Sequence, residues 1–105
     1  MVGLVLVSHS RTLVEGLRDI VAQFGGDPAA SDGAVLLLDF GSAALSVEMA
    51  LEDLSDAERA LVRVPEAPLV EGAFVAGVQA SIGASLDEVA AAAESARTMT
   101  KLPKD

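Results

Sequence analysis

The chain has 105 residues, enough for one domain with a core of its own, and its seven basic and 16 acidic residues give a net charge of −9. This charge argues against nucleic acid and an anionic membrane surface as partners, because both attract basic proteins. The absence of cysteine excludes a disulfide framework, a thiolate metal site and a cysteine nucleophile, and no apolar stretch is long enough to span a membrane.

The first predicted element is an apolar run from Val2 to Val7, which ends at Ser8, His9 and Ser10. Because the run is apolar without alternation, it predicts a strand buried on both faces. Arg11 to Gln23 has apolar residues at helical spacing, so His9 lies between the carboxyl end of a strand and the start of a helix. Open α/β sheets usually place their chemistry at this position. No basic region precedes the run, so we expect no signal peptide and a cytoplasmic protein.

Ala34 to Leu38 predicts a second buried strand, which ends at Asp39. A loop rich in Gly, Asp, Pro and Ser precedes it, from Gly25 to Gly33. A tight turn after the strand leads into a helix, with Ser42 as its candidate N-cap. Each of the first two predicted strands therefore ends next to a side chain that can take part in proton transfer, His9 in one case and Asp39 in the other.

The third predicted strand is short, from Arg59 to Val64, and follows a capping box formed by Ser55 and Glu58. Two prolines come next, and a helix then runs from Pro68 until Gly83 closes it. One face of this helix is rich in small residues, which lets another helix approach closely and indicates a packing or subunit interface. The face consists of Val70, Ala73, Phe74, Gly77, Val78 and Ser81.

A last helix begins at a second capping box, formed by Ser85 and Glu88, and a polar tail that we expect to fray ends the chain. Strands that alternate with helices predict an α/β fold with an open, mostly parallel sheet flanked by helices. We assign residues 1–98 to this domain and residues 99–105 to the tail.

His9 is the only histidine of the chain, and a lone histidine is either structural or reactive. The carboxyl ends of parallel strands emerge at the same edge of a sheet, so His9 and Asp39 belong to one edge. If the two strands are neighbours, the Asp39 carboxylate can accept the Nδ1 proton and leave Nε2 as a nucleophile. Asp39 can equally be a residue that only accepts hydrogen bonds from loop N–H groups.

Four residues are candidate ligands of a phosphoryl group: Ser10, Arg11, Gly41 and Ser42. Ser42 at a helix start can be an N-cap, a phosphate ligand or both, since free N–H groups at a helix N-terminus attract anions. Arg11 either neutralises phosphate charge or is a solvated residue of the first turn. With one histidine and no cysteine we expect no metal ion, and without a phosphate-binding glycine loop we expect no bound nucleotide or other cofactor.

Three short blocks resemble the mannose-type EIIA family, and they occur in the order Val7 to Ser10, Asp39 to Ala43 and Ala67 to Gly72. Within that family they are similar to the phosphotransfer subunits of dihydroxyacetone kinases that depend on the phosphotransferase system (PTS). The resemblance extends to about Ala96. It implies an EIIA-like fold in which His9 is phosphorylated, Asp39 orients its ring and Ser42 lies near the phosphate.

The same resemblance implies a relay between proteins. The phosphoryl group would come from the carrier protein HPr and pass to ADP in the nucleotide-binding subunit of the kinase, which phosphorylates dihydroxyacetone; members are homodimers. Two alternatives remain open, the EIIA domain of a mannose-type sugar transporter and a non-catalytic α/β interaction module. The chain departs from the family between Gly25 and Gly33, where relatives carry a further strand and helix.

Overall fold

The computed structural model of the chain describes residues 1–9, 12, 15 and 32–103, and its centre is a parallel sheet. The strands are β1 (Gly3–Val7), β2 (Ala34–Leu38) and β3 (Val62–Arg63), in the order β1-β2-β3. β1 and β2 pair along their whole length, from Gly3 opposite Ala34 to Val7 opposite Leu38. This open parallel sheet confirms the predicted α/β class.

The helices whose bounds the structure gives all follow β2 in the chain. They are α1 (Ser42–Glu52), α2 (Asp56–Arg59), α3 (Leu69–Ser81) and α4 (Leu86–Ser95), and a 3₁₀ turn at Ala96–Thr98 follows α4. The helix predicted from Arg11 to Gln23 lies outside the described residues except for Thr12 and Glu15. Most of the loop predicted from Gly25 to Gly33 also lies outside them.

Both predicted capping boxes are present and define where two helices begin. The Ser55 hydroxyl accepts a hydrogen bond from the Glu58 N–H at 3.1 Å, and the Glu58 carboxylate accepts one from the Ser55 N–H at 3.0 Å. Ser85 and Glu88 repeat this exchange at the start of α4. Each box satisfies two N–H groups that the first turn of a helix leaves without an intrahelical acceptor.

The predicted third strand is too long. The capping box at Ser55 starts α2, which continues to Arg59, and Ala60 ends that helix. Only Val62 and Arg63 then pair with β2. Local capping therefore takes the first part of the segment into a helical turn before the chain reaches the sheet.

The prediction that β1 is buried on both faces is wrong, because Val5 is exposed. Side chains alternate between the faces of a strand, and Leu4 and Leu6 point to the same face as Val35 and Leu37 of β2. The helices α3 and α4 pack against this face. It carries the main core, formed by Val2, Val35, Leu37, Leu69, Ala73, Ala76, Ala80, Val89 and Ala93.

The small residues of α3 serve packing inside the chain. Gly72, Ala73, Ala76, Gly77 and Ala80 are buried, and α3 packs closely along α4. The predicted interface face is therefore divided, since Ala73 and Gly77 lie in this core whereas Val70 and Phe74 are exposed. The predicted homodimer stays a prediction.

Two glycines with positive φ mark where the chain turns at the amino edge of the sheet. Gly33 has φ of 105°, and a Cβ there would lie 2.8 Å from the Leu61 carbonyl oxygen and 2.9 Å from Leu86 Cδ2. Gly83, with φ of 83°, follows α3 in open space. Because Leu86 begins α4 beside Gly33, α3 runs from the carboxyl edge of the sheet to the amino edge, and α4 runs back.

The segment after the 3₁₀ turn makes one ion pair with the domain. Lys101 Nζ lies 2.5 Å from Glu71 Oε2, in the first turn of α3. An ion pair with an exposed lysine contributes little to stability, so the expectation of a frayed tail stays a prediction. In the described part of the chain, every helix is too short or too polar to cross a membrane.

Candidate functional site

His9 and Asp39 meet at the carboxyl edge of the sheet because β1 and β2 are neighbours in register. Val7 and Leu38 are the last paired residues, and the Asp39 N–H donates to the Val7 carbonyl at 3.2 Å, which extends the ladder by one bond. The backbone of the two strands therefore fixes the separation of the two side chains. Flexible loops do not set it.

Four hydrogen bonds hold the Asp39 carboxylate in place. Oδ2 accepts from the Ser8 hydroxyl at 2.8 Å and from the His9 N–H at 3.0 Å. Oδ1 accepts from the Phe40 N–H at 2.8 Å and lies 3.4 Å from His9 Nδ1. The Asp39 side chain is only 11% exposed, whereas that of His9 is 57% exposed. The arrangement is thus a fixed carboxylate beneath an accessible imidazole.

These contacts keep Asp39 ionised. Removal from water raises the pKa of its carboxyl, but the hydrogen bonds from the His9 N–H, the Ser8 hydroxyl, the Phe40 N–H and the His9 ring outweigh that effect and lower the pKa to about 2. At neutral pH both oxygens are therefore acceptors only.

The ionised carboxylate determines which ring nitrogen of His9 carries the proton. Because Asp39 has no proton to donate, the Nδ1–Oδ1 contact is a hydrogen bond only if Nδ1 is the donor. In the neutral ring Nε2 then carries the lone pair. This nitrogen lies 3.3 Å from Ser42 Oγ, so the Ser42 hydroxyl donates to it.

Ser42 also places the start of α1 beside the imidazole. The helix begins at Ser42, and its N-cap is Gly41, with no side-chain cap. The predicted role of Ser42 as N-cap is therefore wrong, because its hydroxyl is directed at His9 Nε2. The N–H groups of Ala43 and Ala44 donate to the carbonyls of Phe40 and Gly41. For the N–H groups of Gly41 and Ser42 the described part of the chain shows no such acceptor, and free N–H groups at a helix N-terminus attract anions.

The Phe40 ring covers one flank of the imidazole. The two ring centroids are 5.7 Å apart and tilted by 58°, and Phe40 remains largely exposed. No group of three or more carboxylate or histidine side chains in the described residues could hold a metal ion. The chemistry available here is that of an oriented imidazole next to a helix N-terminus.

An open cleft of about 480 Å³ lies beside this site, between α1 and the segment from Pro65 to Ala67. Asp39 borders it, and Arg59 and Glu66 contribute charges of opposite sign. His9 is not among the residues that line it.

The structure brings together four of the residues singled out from the sequence: His9, Asp39, Gly41 and Ser42. Ser10 and Arg11, the other two candidates, lie outside the described residues, and their roles stay predictions.

Sequence reasoning did not identify Ser8 and Phe40 as parts of the site. The signal for Ser8 was its position directly before His9, since a hydroxyl there falls beside the end of a neighbouring strand. Phe40 directly follows Asp39, and its sequence position alone does not indicate that the ring turns towards His9.

Comparisons with known proteins place the chain in a family. The model of the EIIA-man family, described as "PTS system fructose IIA component", matches residues 27–90, a segment that includes Asp39 and Ser42 and begins after His9. The chain is 37% identical to the "PEP-dependent dihydroxyacetone kinase, phosphoryl donor subunit DhaM" of Klebsiella michiganensis, covering 85% of this chain and 25% of that protein. The subunit of the same name from Escherichia coli is 36% identical, and the alignment again covers 85% of this chain and 25% of that protein. The chain thus spans about a quarter of these relatives.

A shorter relative is covered almost completely. The "PEP-dependent dihydroxyacetone kinase 2, phosphoryl donor subunit DhaM" of Listeria innocua is 32% identical, and the alignment covers 85% of this chain and 94% of that protein. A solved structure, the "Crystal structure of unknown function protein EF1359", superposes with a TM-score of 0.78 at 26% identity and covers 93% of this chain and 96% of that one.

The alignments also bear on the length of the segment before β2. The alignment to the Klebsiella protein runs over 120 positions but uses only 85% of the 105 residues of this chain. Roughly 30 of those positions therefore have no counterpart here. That number is close to the size of one strand with its helix, the unit that the resemblance implies is absent between residues 25 and 33.

Proposed function

Because the chain belongs to the EIIA-man family of phosphotransferase-system components and is similar to DhaM phosphoryl donor subunits, we propose that it relays a phosphoryl group through His9. The donor is the phosphorylated carrier protein HPr. The acceptor is ADP in the nucleotide-binding subunit of a dihydroxyacetone kinase. The relay needs ADP and a carrier protein, which favours the cytoplasmic location predicted from the sequence.

In the first step the lone pair of His9 Nε2 attacks the phosphorus atom of phosphohistidine on HPr. A new N–P bond forms on His9, the N–P bond of the donor breaks, and the donor imidazole recovers its lone pair. The ring of His9 becomes cationic as Nε2 is bonded to phosphorus, while Nδ1 keeps its proton. The Asp39 carboxylate stabilises that positive charge through the Nδ1 contact.

In the second step an oxygen of the terminal phosphate of ADP attacks the phosphorus atom held by His9. The O–P bond that forms produces ATP, and the N–P bond breaks and returns the neutral imidazole to its starting state. No net proton is exchanged at Nδ1 in either step. His9 is thus the nucleophile of the first step and the leaving group of the second.

Hydrogen-bond donors at the start of α1 can stabilise the negative charge on the three oxygens of the transferred phosphoryl group. The Ser42 hydroxyl donates to Nε2 in the resting state and can turn to the phosphoryl oxygens when that lone pair is used. The N–H groups of Gly41 and Ser42 point to the same region because they open the helix. Such preorganised donors supply most of the acceleration in phosphoryl transfer.

One observation carries the proposal. An ionised, fully hydrogen-bonded Asp39 faces Nδ1 of a histidine that is 57% exposed, so in the neutral ring Nε2 carries the lone pair on the accessible side chain. A histidine that served only packing would be buried, with both ring nitrogens satisfied inside the protein.

The test is to incubate the chain with phosphoenolpyruvate, PTS enzyme I and HPr and to follow its mass. We expect one acid-labile phosphate, absent in His9→Ala, and transfer of that phosphate to ADP only when the nucleotide-binding subunit is added. If HPr labels a DhaM subunit in the same tube but does not label this chain, the relay is wrong and the chain is a non-catalytic interaction module.

A second candidate acceptor is a mannose-type sugar transporter. The description of the matching family model, "PTS system fructose IIA component", favours it. The two acceptors are distinguished by adding the phosphorylated chain to kinase subunits or to membranes that carry the transporter. We propose the kinase because DhaM subunits align over 85% of the chain.

We also propose that the chain works as a homodimer, as the family resemblance implies. Light scattering at micromolar concentration should give about twice the 10.7 kDa mass of one chain. A single species of the monomer mass would contradict this assembly without affecting the relay.

A further inference from the structure

A row of exposed apolar side chains leads away from His9. Phe40 is 64% exposed, and Leu45 and Met49 on α1 are 65% and 61% exposed. Three large apolar side chains in water next to a reactive group are unusual, because such contiguous patches usually mark an interaction site. We call these three residues the α1 stripe.

The α1 stripe lies on the helix face that starts next to His9 Nε2, the atom that accepts the phosphoryl group in the proposed function. Leu45 and Met49 follow Ser42 by three and seven residues, a spacing that places them on the same face of the helix. The Ser42 hydroxyl contacts His9 Nε2. At a rise of about 1.5 Å per residue, Met49 lies roughly 10 Å further along the helix.

We propose that the α1 stripe is the docking surface for the phosphorylated carrier protein that charges His9. This inference rests on the proposed function. A specific protein interface buries about 800 Å² on each partner, which corresponds to a disc of about 16 Å radius. A carrier that brings its phosphohistidine to Nε2 centres this disc near His9, so the disc of about 16 Å radius reaches the whole α1 stripe.

The charges around the α1 stripe define the chemistry of the partner. Glu48 and Glu52 are exposed beside it, and α1 contains no basic residue. The complementary surface therefore has apolar side chains at its centre and lysine or arginine at its rim. The net charge of −9 adds long-range attraction for such a partner.

The same charges argue against a second copy of this chain as the occupant. In a two-fold dimer built on the α1 stripe, each patch would meet its own equivalent. Glu48 and Glu52 of one copy would then approach those of the other, and the phosphoryl group added to His9 would increase the repulsion. A basic carrier has neither disadvantage.

The experiment compares Leu45→Gln/Met49→Gln with a matched control, Ile82→Gln. Ile82 is also an exposed apolar residue, at 72%, but it follows α3 at the amino edge of the sheet, opposite the site. Glutamine keeps the length of the side chain and adds no charge, so it does not repel phosphate. Two measurements are made, the second-order rate of labelling by phosphorylated HPr and the rate of labelling by phosphoramidate, a small donor that needs no docking.

We expect the double variant to lose about ten- to a hundredfold in its rate with limiting HPr, because central apolar contacts dominate protein interfaces. Saturating HPr should recover most of the loss, and phosphoramidate should label wild type and both variants equally. The Ile82→Gln variant should match wild type with either donor.

Several results overturn the inference. Wild-type rates with HPr in the double variant show that the α1 stripe is not the docking surface, while the relay itself stands. An equal loss in Ile82→Gln, or a shift from dimer to monomer in the double variant with an unchanged HPr rate, also rejects a carrier as the occupant. Failure of the wild type to accept phosphate from either donor instead rejects the proposed function.

Discussion

Nδ1 of His9 lies 3.4 Å from Oδ1 of Asp39, and this contact joins the second residue after β1 to the first residue after β2. A slip of one residue between β1 and β2 would move Asp39 by about 3.3 Å and turn its side chain to the other face of the sheet. The burial of Val35 and Leu37 on one face opposes such a slip. The geometry of the pair therefore depends on the hydrophobic pattern of the strands.

Replacement of Asp39 by alanine should slow phosphorylation of His9 without abolishing it. The nucleophile remains, but its tautomer and orientation are no longer held, and a positioned partner of this kind contributes about 10²- to 10⁴-fold. Rapid-quench labelling with phosphorylated HPr gives the rate. Asp87→Ala is a suitable control, since Asp87 also pairs with a side chain, Arg63, but lies on α4. Equal rates in wild type and Asp39→Ala would refute the role of the pair.

Replacement of Ser8 by alanine should have a smaller effect of the same kind. The Ser8 hydroxyl donates to Asp39 Oδ2, and a hydrogen bond to a charged group contributes about 1.5–3 kcal/mol, so the labelling rate should fall about tenfold or more. Ser8→Thr keeps a hydroxyl and should recover most of the rate.

Carbon-13 NMR provides an independent measure of the Ser8 contact. Loss of one of the hydrogen bonds that lower the pKa of Asp39 should move that pKa upwards in Ser8→Ala. An unchanged Asp39 pKa in Ser8→Ala would show that the serine does not hold the carboxylate in solution.

The low pKa of Asp39 makes one part of the stability depend on pH. Its folded value of about 2 lies below the ordinary value of 3.8, so the unfolded chain takes up the proton first as the pH falls. The contribution of Asp39 is therefore complete above about pH 4 and is lost between about pH 4 and pH 2. Urea unfolding of wild type and Asp39→Asn should show a stability difference that is constant from pH 7 to pH 5 and shrinks below pH 4. A difference in unfolding free energy between the two proteins that stays the same down to pH 2 would contradict this role of Asp39.

The two glycines of positive φ should differ in their tolerance of alanine. Gly83→Ala should cost about 1–2 kcal/mol of unfolding free energy, since its Cβ meets open space and only the backbone conformation is disfavoured. Gly33→Ala carries that cost and also brings a Cβ to 2.8 Å from the Leu61 carbonyl oxygen, where the backbone has to move. We expect a total of about 3 kcal/mol or more for Gly33→Ala. Urea midpoints compare the two, and equal losses would show that the contact at Gly33 relaxes freely.

The parts of the fold that were predictable from the sequence depend on short-range rules. The bounds of β2 are those predicted, because the run from Ala34 to Leu38 is apolar and ends abruptly at Asp39. The boxes at Ser55 and Ser85 are equally local, since a serine followed by glutamate three residues later has a definite hydrogen-bond pattern.

The remaining features depend on tertiary contacts that no local pattern contains. Ser42 resembles an N-cap in sequence, but the imidazole of His9 competes for its hydroxyl. Val62 to Val64 has strand character, yet only Val62 and Arg63 reach the sheet. The exposure of Val5 depends on which face the helices cover, and the alternation of side chains along one strand does not reveal this.

Direct pairing of β1 with β2 has a consequence for insertions and deletions in this family. The two residues that form the pair approach each other across a single ladder, so the length of the chain that connects them is not part of the geometry. The entropy of closing such a connection changes by only about 0.6 kcal/mol for each doubling of its length. Lineages can therefore lengthen or shorten the stretch between residues 9 and 33 by a whole structural unit while the histidine and the aspartate keep their separation. Variation in the size of the protein at this point is compatible with an unchanged reaction.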